Sequence, residues 1–383
     1  SQPIPLPIQM KIAINTRQLS DDFREGYGYF VLETMKRITE CHPEHEFIFL
    51  SDRLFKNEYQ FGNNVKKVIA GPSANHPLLW KWWYHIKVPA ILRRHKVDVF
   101  VSCDGICSLA TKVPQCLVVP DLPFLYSQSH FKKSHLLFYK RNRQKFLNKA
   151  NSIAVISEFI KSDLLKHYQI KNKDVSVLSS AVNHIFQPAG DVIKKEVKEK
   201  YTGGKEYFVY AGDIHHKKNI LNLLKAFSLF KKKQKTGMKL VFAGKFTAGS
   251  KSLSESLRNY KFRDDVIITG HVEEDALAAI ISAAYAMVHP VIGEGFAFSV
   301  LAAIKCGVPV ITSAGSSMQE IAGDAALYTD FTNINAIAEK MMLLYKDENL
   351  RNKLMLNTKE PAGNYTWDKT ATLLWKSILK AVE

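Results

Sequence analysis

Cysteine is scarce: five residues in 383, at positions 41, 103, 107, 116 and 306. An odd number at such wide spacing excludes a disulfide scaffold. Cys103 and Cys107 form the one close pair, and no second Cys/His pair at ligand spacing follows it, so no zinc site is expected. The thiols are read as free, reduced and cytosolic. Long apolar runs are missing too. The longest, such as residues 276–290, are too short or too polar to span a bilayer. The start, Ser1-Gln-Pro-Ile-Pro-Leu-Pro-Ile-Gln, lacks a basic segment followed by a long apolar one, so it does not read as a secretory signal. Residues 1–9 are expected to lie outside the fold as an artificial leader, because Met10-Lys-Ile-Ala-Ile-Asn reads as a native start. No repeat of solenoid period is present. Acidic residues are in deficit, with 36 Asp and Glu against 53 Lys and Arg and a formal charge of +17. The excess is larger before residue 190 (26 basic, 15 acidic) than after it (27 and 21). That field favours anionic partners.

What remains is a globular composition, 46% apolar and 23% charged, at a length suited to two domains. Short apolar strands alternate with helical patterns. Residues 11–15, 47–50, 97–101, 116–119 and 152–156 read as strands, and residues 30–38 as a helix after a polar, glycine-containing loop at 24–28. The alternation restarts with strands at 207–211, 239–243, 266–269, 286–289 and 308–312. Helices are expected over 219–231, 274–284, 299–306 and 316–322, with an amphipathic one closing the chain. Strand–helix alternation argues for parallel sheets covered on both faces. The expected fold is therefore α/β: two doubly wound, Rossmann-like domains facing each other across a deep cleft. The first is assigned residues 10–186 and completed by 366–383; the second is assigned 187–365, opening with a Pro/Gly linker and a solvated helix.

The segment most able to carry chemistry runs from His289 to Thr312. A strand ends at His289, a short loop carries Glu294 and Gly295, and a helix starts near residues 297–299. Free N–H groups at such a helix start favour an anion, and Glu294 beside them can accept hydrogen bonds from sugar hydroxyls.

This segment resembles the donor-site motif of the family 4 retaining glycosyltransferases, which have the GT-B fold. The likeness extends to Gly270-His-Val, Glu320-Ile-Ala-Gly-Asp-Ala-Ala, Gly212 with Lys217-Lys218-Asn219, Gly26-x-Gly28, Asp121-Leu-Pro and Trp367-Asp-Lys-Thr-Ala. It covers nearly the whole chain. The resemblance implies a hexosyl transfer from a UDP- or GDP-sugar to a hydroxyl of a glycan or lipid-linked acceptor, in surface polysaccharide synthesis. Lys218 and Glu294 are then the catalytic residues, with Lys218 on the diphosphate and Glu294 on the donor sugar. Gly212, Lys217, His271, Val272, Gly295, Phe296, Ala297 and Phe298 would complete the donor site, with Gly28 approaching the phosphate. Gly26 and Asp121 fall on the acceptor side. No cofactor is expected and no metal, since the chain has no Asp-x-Asp triplet.

Four positions depart from the family pattern. Ala302 stands where the second donor-site Glu is usual, Asp213 replaces an Arg, Pro120 replaces a His, and Ala297 replaces a Gly. They leave open an alternative: a non-catalytic nucleotide- or glycan-binding protein of the same fold. Nucleic acid is not an expected partner, because no reading motif accompanies the charge. The basic, aromatic stretch from Lys132 to Lys149 suits either an anionic membrane surface or a solvated helix face with Phe138, Phe146 and Leu147 turned inward. Trp80, Trp83 and Tyr84 share a helical face, readable as an acceptor platform, a membrane anchor or, more simply, core. The expected location is cytoplasmic, peripheral at the inner membrane face.

Overall fold

The computed structural model describes residues 9–19, 27–55, 60–74, 76–126, 132–170, 173–215, 218–247, 250–291 and 294–383. The chain divides into two units, residues 1–181 with 366–383, and residues 182–365. The division falls before residue 182 rather than after 186. The reason is local bonding: the Asn183 amide donates to Glu274 (3.0 Å) and the Ala189 N–H to Ser282 Oγ (2.6 Å), which ties this stretch to a helix of the second unit.

The first unit holds a seven-stranded parallel sheet: β1 Lys11–Asn15, β2 Glu46–Ser51, β3 Val65–Ile69, β4 Val99–Ser102, β5 Gln115–Val119, β6 Ser152–Val155 and β7 Val175–Val177, in the order β3-β2-β1-β4-β5-β6-β7. The second holds six parallel strands: β8 Tyr207–Ala211, β9 Lys239–Ala243, β10 Val266–Ile268, β11 Ala286–His289, β12 Val310–Ser313 and β13 Ala326–Thr329, in the order β10-β9-β8-β11-β12-β13. The central strands β1, β4, β5, β8 and β11 are buried almost throughout, as strands covered by helices on both faces must be. Each sheet reverses its winding once, between β1 and β4 and between β8 and β11. Ligands of doubly wound sheets bind outside the carboxyl ends of strands at such reversals.

Two sequence expectations need correction. The helix Tyr27–Cys41 begins early enough to place Gly28 in its buried first turn rather than in a loop. Strand β12 starts at Val310, because Cys306 and Gly307 (φ 71°) turn the chain out of the preceding helix and Pro309 has no N–H to donate to a ladder. The aromatic face follows the simplest of its three readings: Trp83 and Tyr84 are fully buried and Trp80 packs on the same core, so these rings form no exposed platform or anchor.

Candidate functional site

The winding reversal of the second sheet brings together the two loops singled out from sequence. β8 ends at Ala211, and Gly212 follows with φ 127°, a conformation that glycine adopts without strain. The Tyr210 hydroxyl donates to the carbonyl of Asp213 (2.9 Å), and Ser299 Oγ donates to the carbonyl of Ala211 (2.9 Å). The second bond fastens the end of β8 to the helix Phe298–Lys305. Lys218 lies in a single turn before the helix Ile220–Gln234. Its position is fixed by Asn219, a left-handed N-cap (φ 57°) whose amide donates to the carbonyls of Pro290 (3.2 Å) and Phe331 (2.8 Å). The loop after β11 is held from the other side. Thr312 Oγ1 donates to the His289 carbonyl (3.2 Å), Ser313 Oγ to that of Val291 (2.5 Å) and Ser317 Oγ to that of Glu294 (2.6 Å).

These anchors converge on one carboxylate. Lys218 Nζ donates to Glu294 Oε1, and His289 Nε2 lies 2.9 Å from Glu294 Oε2. The second contact is a hydrogen bond only with the proton on Nε2. Burial pushes the Glu294 carboxyl up, but the charges of Lys218 and His289 and the hydrogen bonds from both outweigh it and hold the group well below the usual carboxylate range. His289 is 3% exposed, stacks on Tyr210 (centroids 6.1 Å apart, planes 10° apart), and leaves Nδ1 buried without a partner among the described residues. The cluster can offer a cation to a phosphate and an ionised acceptor to hydroxyl groups.

The other expected donor residues are placed as follows. Gly295, Phe296 and Ala297 are buried, and Phe296 packs edge-on against Phe298 (5.1 Å) and Tyr365 (5.9 Å). His271 and Val272 follow β10, two strands from β8, at the same end of the sheet. Ala302 is 3% exposed, and Asp213 keeps Oδ1 buried without a partner among the described residues. On the first unit, Pro120 and an exposed Asp121 follow β5. Gly26 and Lys217 lie outside the described residues.

Sequence reading missed a second polar cluster, at the winding reversal of the first sheet. Arg17, after β1, pairs with Asp52 (3.1 Å) and faces Asp104 (3.7 Å), and its guanidinium donates to the Ala74 carbonyl (2.6 Å). The Tyr84 hydroxyl donates to Asp104 (2.5 Å) and accepts from the Asn15 amide (2.6 Å). Burial first, and then the Asp104 charge, push the Tyr84 phenol well up. The available signal was polar Asn15 and Ser102 closing otherwise apolar strands. Beside this cluster, Arg143 is buried on the inner side of the helix Lys133–Lys149 and donates to the Gly105 carbonyl (2.7 Å). The inward turn of Phe138, Phe146 and Leu147 follows the simpler reading of that helix, while Lys132, Lys133, Lys140, Arg141 and Lys145 are exposed.

One group among the described residues has metal-ligand spacing: His42, Glu44 and His45, which His42-x2-His45 could have signalled. His45 Nδ1 accepts the Met10 N–H (3.1 Å), so Nε2 carries the proton and is not set to ligate an ion. Both rings stack on Trp375, at 3.8 and 5.2 Å.

Residues 191–360 match the family profile described as "Glycosyl transferases group 1", and residues 26–185 match "Glycosyltransferase Family 4". The chain belongs to the family 4, group 1 glycosyltransferases. Among curated relatives, the O-antigen chain mannosyltransferase B of Escherichia coli is 23% identical over 253 residues, 66% of each chain. The O-antigen chain mannosyltransferase RfbU of Salmonella typhimurium is 25% identical over 275 residues, 70% of each. The serotype-specific mannosyltransferase WbdA of Escherichia coli is 25% identical over 70% of this chain but only 33% of its own length. Aligned stretches thus span about two thirds of the first two relatives and a third of the other. Among solved structures, the sucrose-phosphate synthase of Thermosynechococcus elongatus superposes with a TM-score of 0.79 at 16% identity, covering 96% of this chain and 98% of that one. WaaG, a glycosyltransferase involved in lipopolysaccharide biosynthesis, gives 0.73 at 13%, covering 96% and 99%. HepE of Anabaena, solved with UDP and glucose, gives 0.75 at 12%, covering 97% and 99%. The family's two Rossmann-like domains are thereby identified as the GT-B fold.

Proposed function

We propose that this protein is a retaining hexosyltransferase that moves a sugar from a nucleoside diphosphate to a hydroxyl of a growing glycan or glycolipid in surface polysaccharide synthesis. The observation that carries the reading is the Lys218–Glu294–His289 cluster at the winding reversal of the second sheet, in a chain of this family. Breaking a glycosidic bond to a diphosphate leaves negative charge on the departing oxygen. The Lys218 ammonium stabilises that charge, and the free N–H groups opening the helix Phe298–Lys305 add to it. Glu294, kept ionised, accepts hydrogen bonds from hydroxyls of the donor sugar. Lys218 takes the place of a metal in this scheme, so turnover should survive a chelator. Retention comes from the family resemblance alone. The names of the relatives make a mannose donor the first to test.

Among the described residues no helix is long and apolar enough to cross a membrane. The exposed cations of the helix Lys133–Lys149, with exposed Leu137 among them, suit peripheral contact with anionic lipid. Sedimentation with vesicles with and without acidic lipid tests that contact, and no binding at low salt rejects it. Buried Ala302, and the Asp213 oxygen that has no partner among the described residues, favour the second reading, nucleotide or glycan binding without turnover.

Calorimetric titration with UDP, GDP and ADP, followed by their hexose conjugates, tests the donor site. The expected result is saturable binding of one nucleotide, lost in Lys218→Ala. Product formation from the conjugate in the presence of EDTA then separates enzyme from binder. Absence of binding by any nucleotide refutes the transferase and leaves glycan binding without turnover.

A further inference from the structure

Lys218 cannot serve two anions at once. Its ammonium is engaged by Glu294, yet the donor-site reading puts it on a diphosphate. We infer that donor binding is an ion-pair exchange: the diphosphate takes Lys218 from Glu294, and His289 holds the released carboxylate in place for the hydroxyls of the sugar. This rests on the donor-site reading above and extends it in two ways. It makes Glu294 an internal competitor of the diphosphate, and it makes His289 a positioning residue.

The two partners of Glu294 differ in mobility. Lys218 is a long side chain, 34% exposed, on a single turn. His289 is the last residue of β11, buried, stacked on Tyr210, with its carbonyl bonded to Thr312. Only Lys218 can swing away. His289 is also a polar ring in a fully buried strand, a placement that is costly unless it makes a bond, and among the described residues its ring bonds to Glu294 alone. With Lys218 gone, Glu294 keeps the Nε2–H and turns Oε1 to new donors. The sugar part of a nucleotide sugar supplies them as hydroxyls. A bare nucleoside diphosphate takes the lysine but offers nothing to the freed carboxylate. The exchange therefore favours the conjugate over the diphosphate left behind after transfer, and recapture of Lys218 by Glu294 helps to expel that product.

The test uses the full chain and calorimetry with UDP, GDP and their hexose conjugates. Glu294→Gln removes the competing charge while keeping the shape. It should bind the bare diphosphate more tightly than wild type, on the order of threefold to tenfold. The conjugate should gain less, or lose, so the preference for it shrinks. His289→Phe should weaken the conjugate on the order of tenfold with little effect on the bare diphosphate. His289→Gln, whose amide nitrogen reaches towards the position of Nε2, should restore much of the loss. A Glu294→Gln protein that loses the diphosphate, as Lys218→Ala does, overturns the exchange. A folded His289→Phe protein with unchanged conjugate affinity overturns the positioning role. Failure of the donor-site reading looks different: neither wild type nor Glu294→Gln binds any nucleotide.

Discussion

Gly244 is the position where the structure forbids a side chain most plainly. A Cβ added there would lie 2.0 Å from the carbonyl oxygen of Gly212 and 2.8 Å from its carbon. Both are backbone atoms, so no rotamer change relieves the clash. The two segments are laced together by Gly212 N–H to the Ala243 carbonyl (3.0 Å) and Ile214 N–H to the Lys245 carbonyl (2.9 Å). Restoring ordinary van der Waals contact requires a separation of more than about 1 Å, which stretches both bonds past useful length. Two backbone hydrogen bonds at about 1 kcal/mol each, together with the desolvation of any group left unpaired, put the cost of Gly244→Ala at about 2–4 kcal/mol. In a domain of this size that is a fall in melting temperature of about 5–15 °C. Urea denaturation and thermal melting measure it directly. Gly237→Ala is the control: its Cβ would meet only the Lys205 side chain at 3.5 Å, and a loop Gly→Ala change without strain is neutral or slightly stabilising. The same movement displaces Gly212 and the Tyr210 bond to Asp213, so nucleotide affinity should fall together with stability. If Gly244→Ala and Gly237→Ala unfold within about 0.5 kcal/mol of each other, the close-approach argument is wrong.

Three further outcomes are expected. The depressed pKa of Glu294 means that its ionised form stabilises the fold at neutral pH. The stability advantage of wild type over Glu294→Gln should be complete above the ordinary carboxyl pKa of about 4.3 and shrink as pH falls below it. Urea midpoints between neutral and acidic pH give the trend, and an advantage that grows on acidification contradicts it. Tyr84→Phe removes the acceptor of the buried Asn15 amide and a donor to Asp104, so the first unit should lose about 1–3 kcal/mol in the same assay. A loss under about 0.5 kcal/mol would show that the hydroxyl is dispensable there. Ala302→Glu buries a carboxylate at a closed position, so the free protein should melt lower, by the equivalent of about 1–3 kcal/mol. If ribose hydroxyls meet that carboxylate, the bound nucleotide should raise the melting temperature more in the variant than in wild type. Equal ligand shifts would place the ribose elsewhere.

The strands were legible because buried parallel strands are short, apolar and ended by turns. β1, β8, β9 and β11 occupy the residues that the pattern marked. Of the four edge strands β10 was marked as well, but β3, β7 and β13 were not. β3 is Val-Lys-Lys-Val-Ile and β7 only three residues, so neither presents an apolar run. Gly28 was misplaced for a different reason: glycine signals a loop, but here it stands buried in the first turn of a helix.

The site was legible in part, and the division has a physical basis. Lys218 and Glu294 stood out because the segments that carry them, Gly212 to Asn219 and His289 to Thr312, resemble the family's donor-site motifs. What no linear pattern could show is that they bond to each other across 76 residues. His289 was hidden by its place in the apolar run Ala286-Met-Val-His, where it read as the end of a strand. Arg17, Asp52, Asp104 and Tyr84 were hidden likewise, scattered over 88 positions and gathered only by the strand order. Both clusters lie where their sheet reverses direction, and there the two flanking strands send their following loops apart and leave backbone groups and side chains open at the carboxyl edge. A sequence reader who first fixes the strand order, and then asks which polar residues end or follow the strands on either side of the reversal, would find Asn15, Arg17, Ser102 and Asp104 in one half and Asp213, His289 and Glu294 in the other. The order of the strands, more than any single motif, therefore converts a list of polar residues into candidate sites.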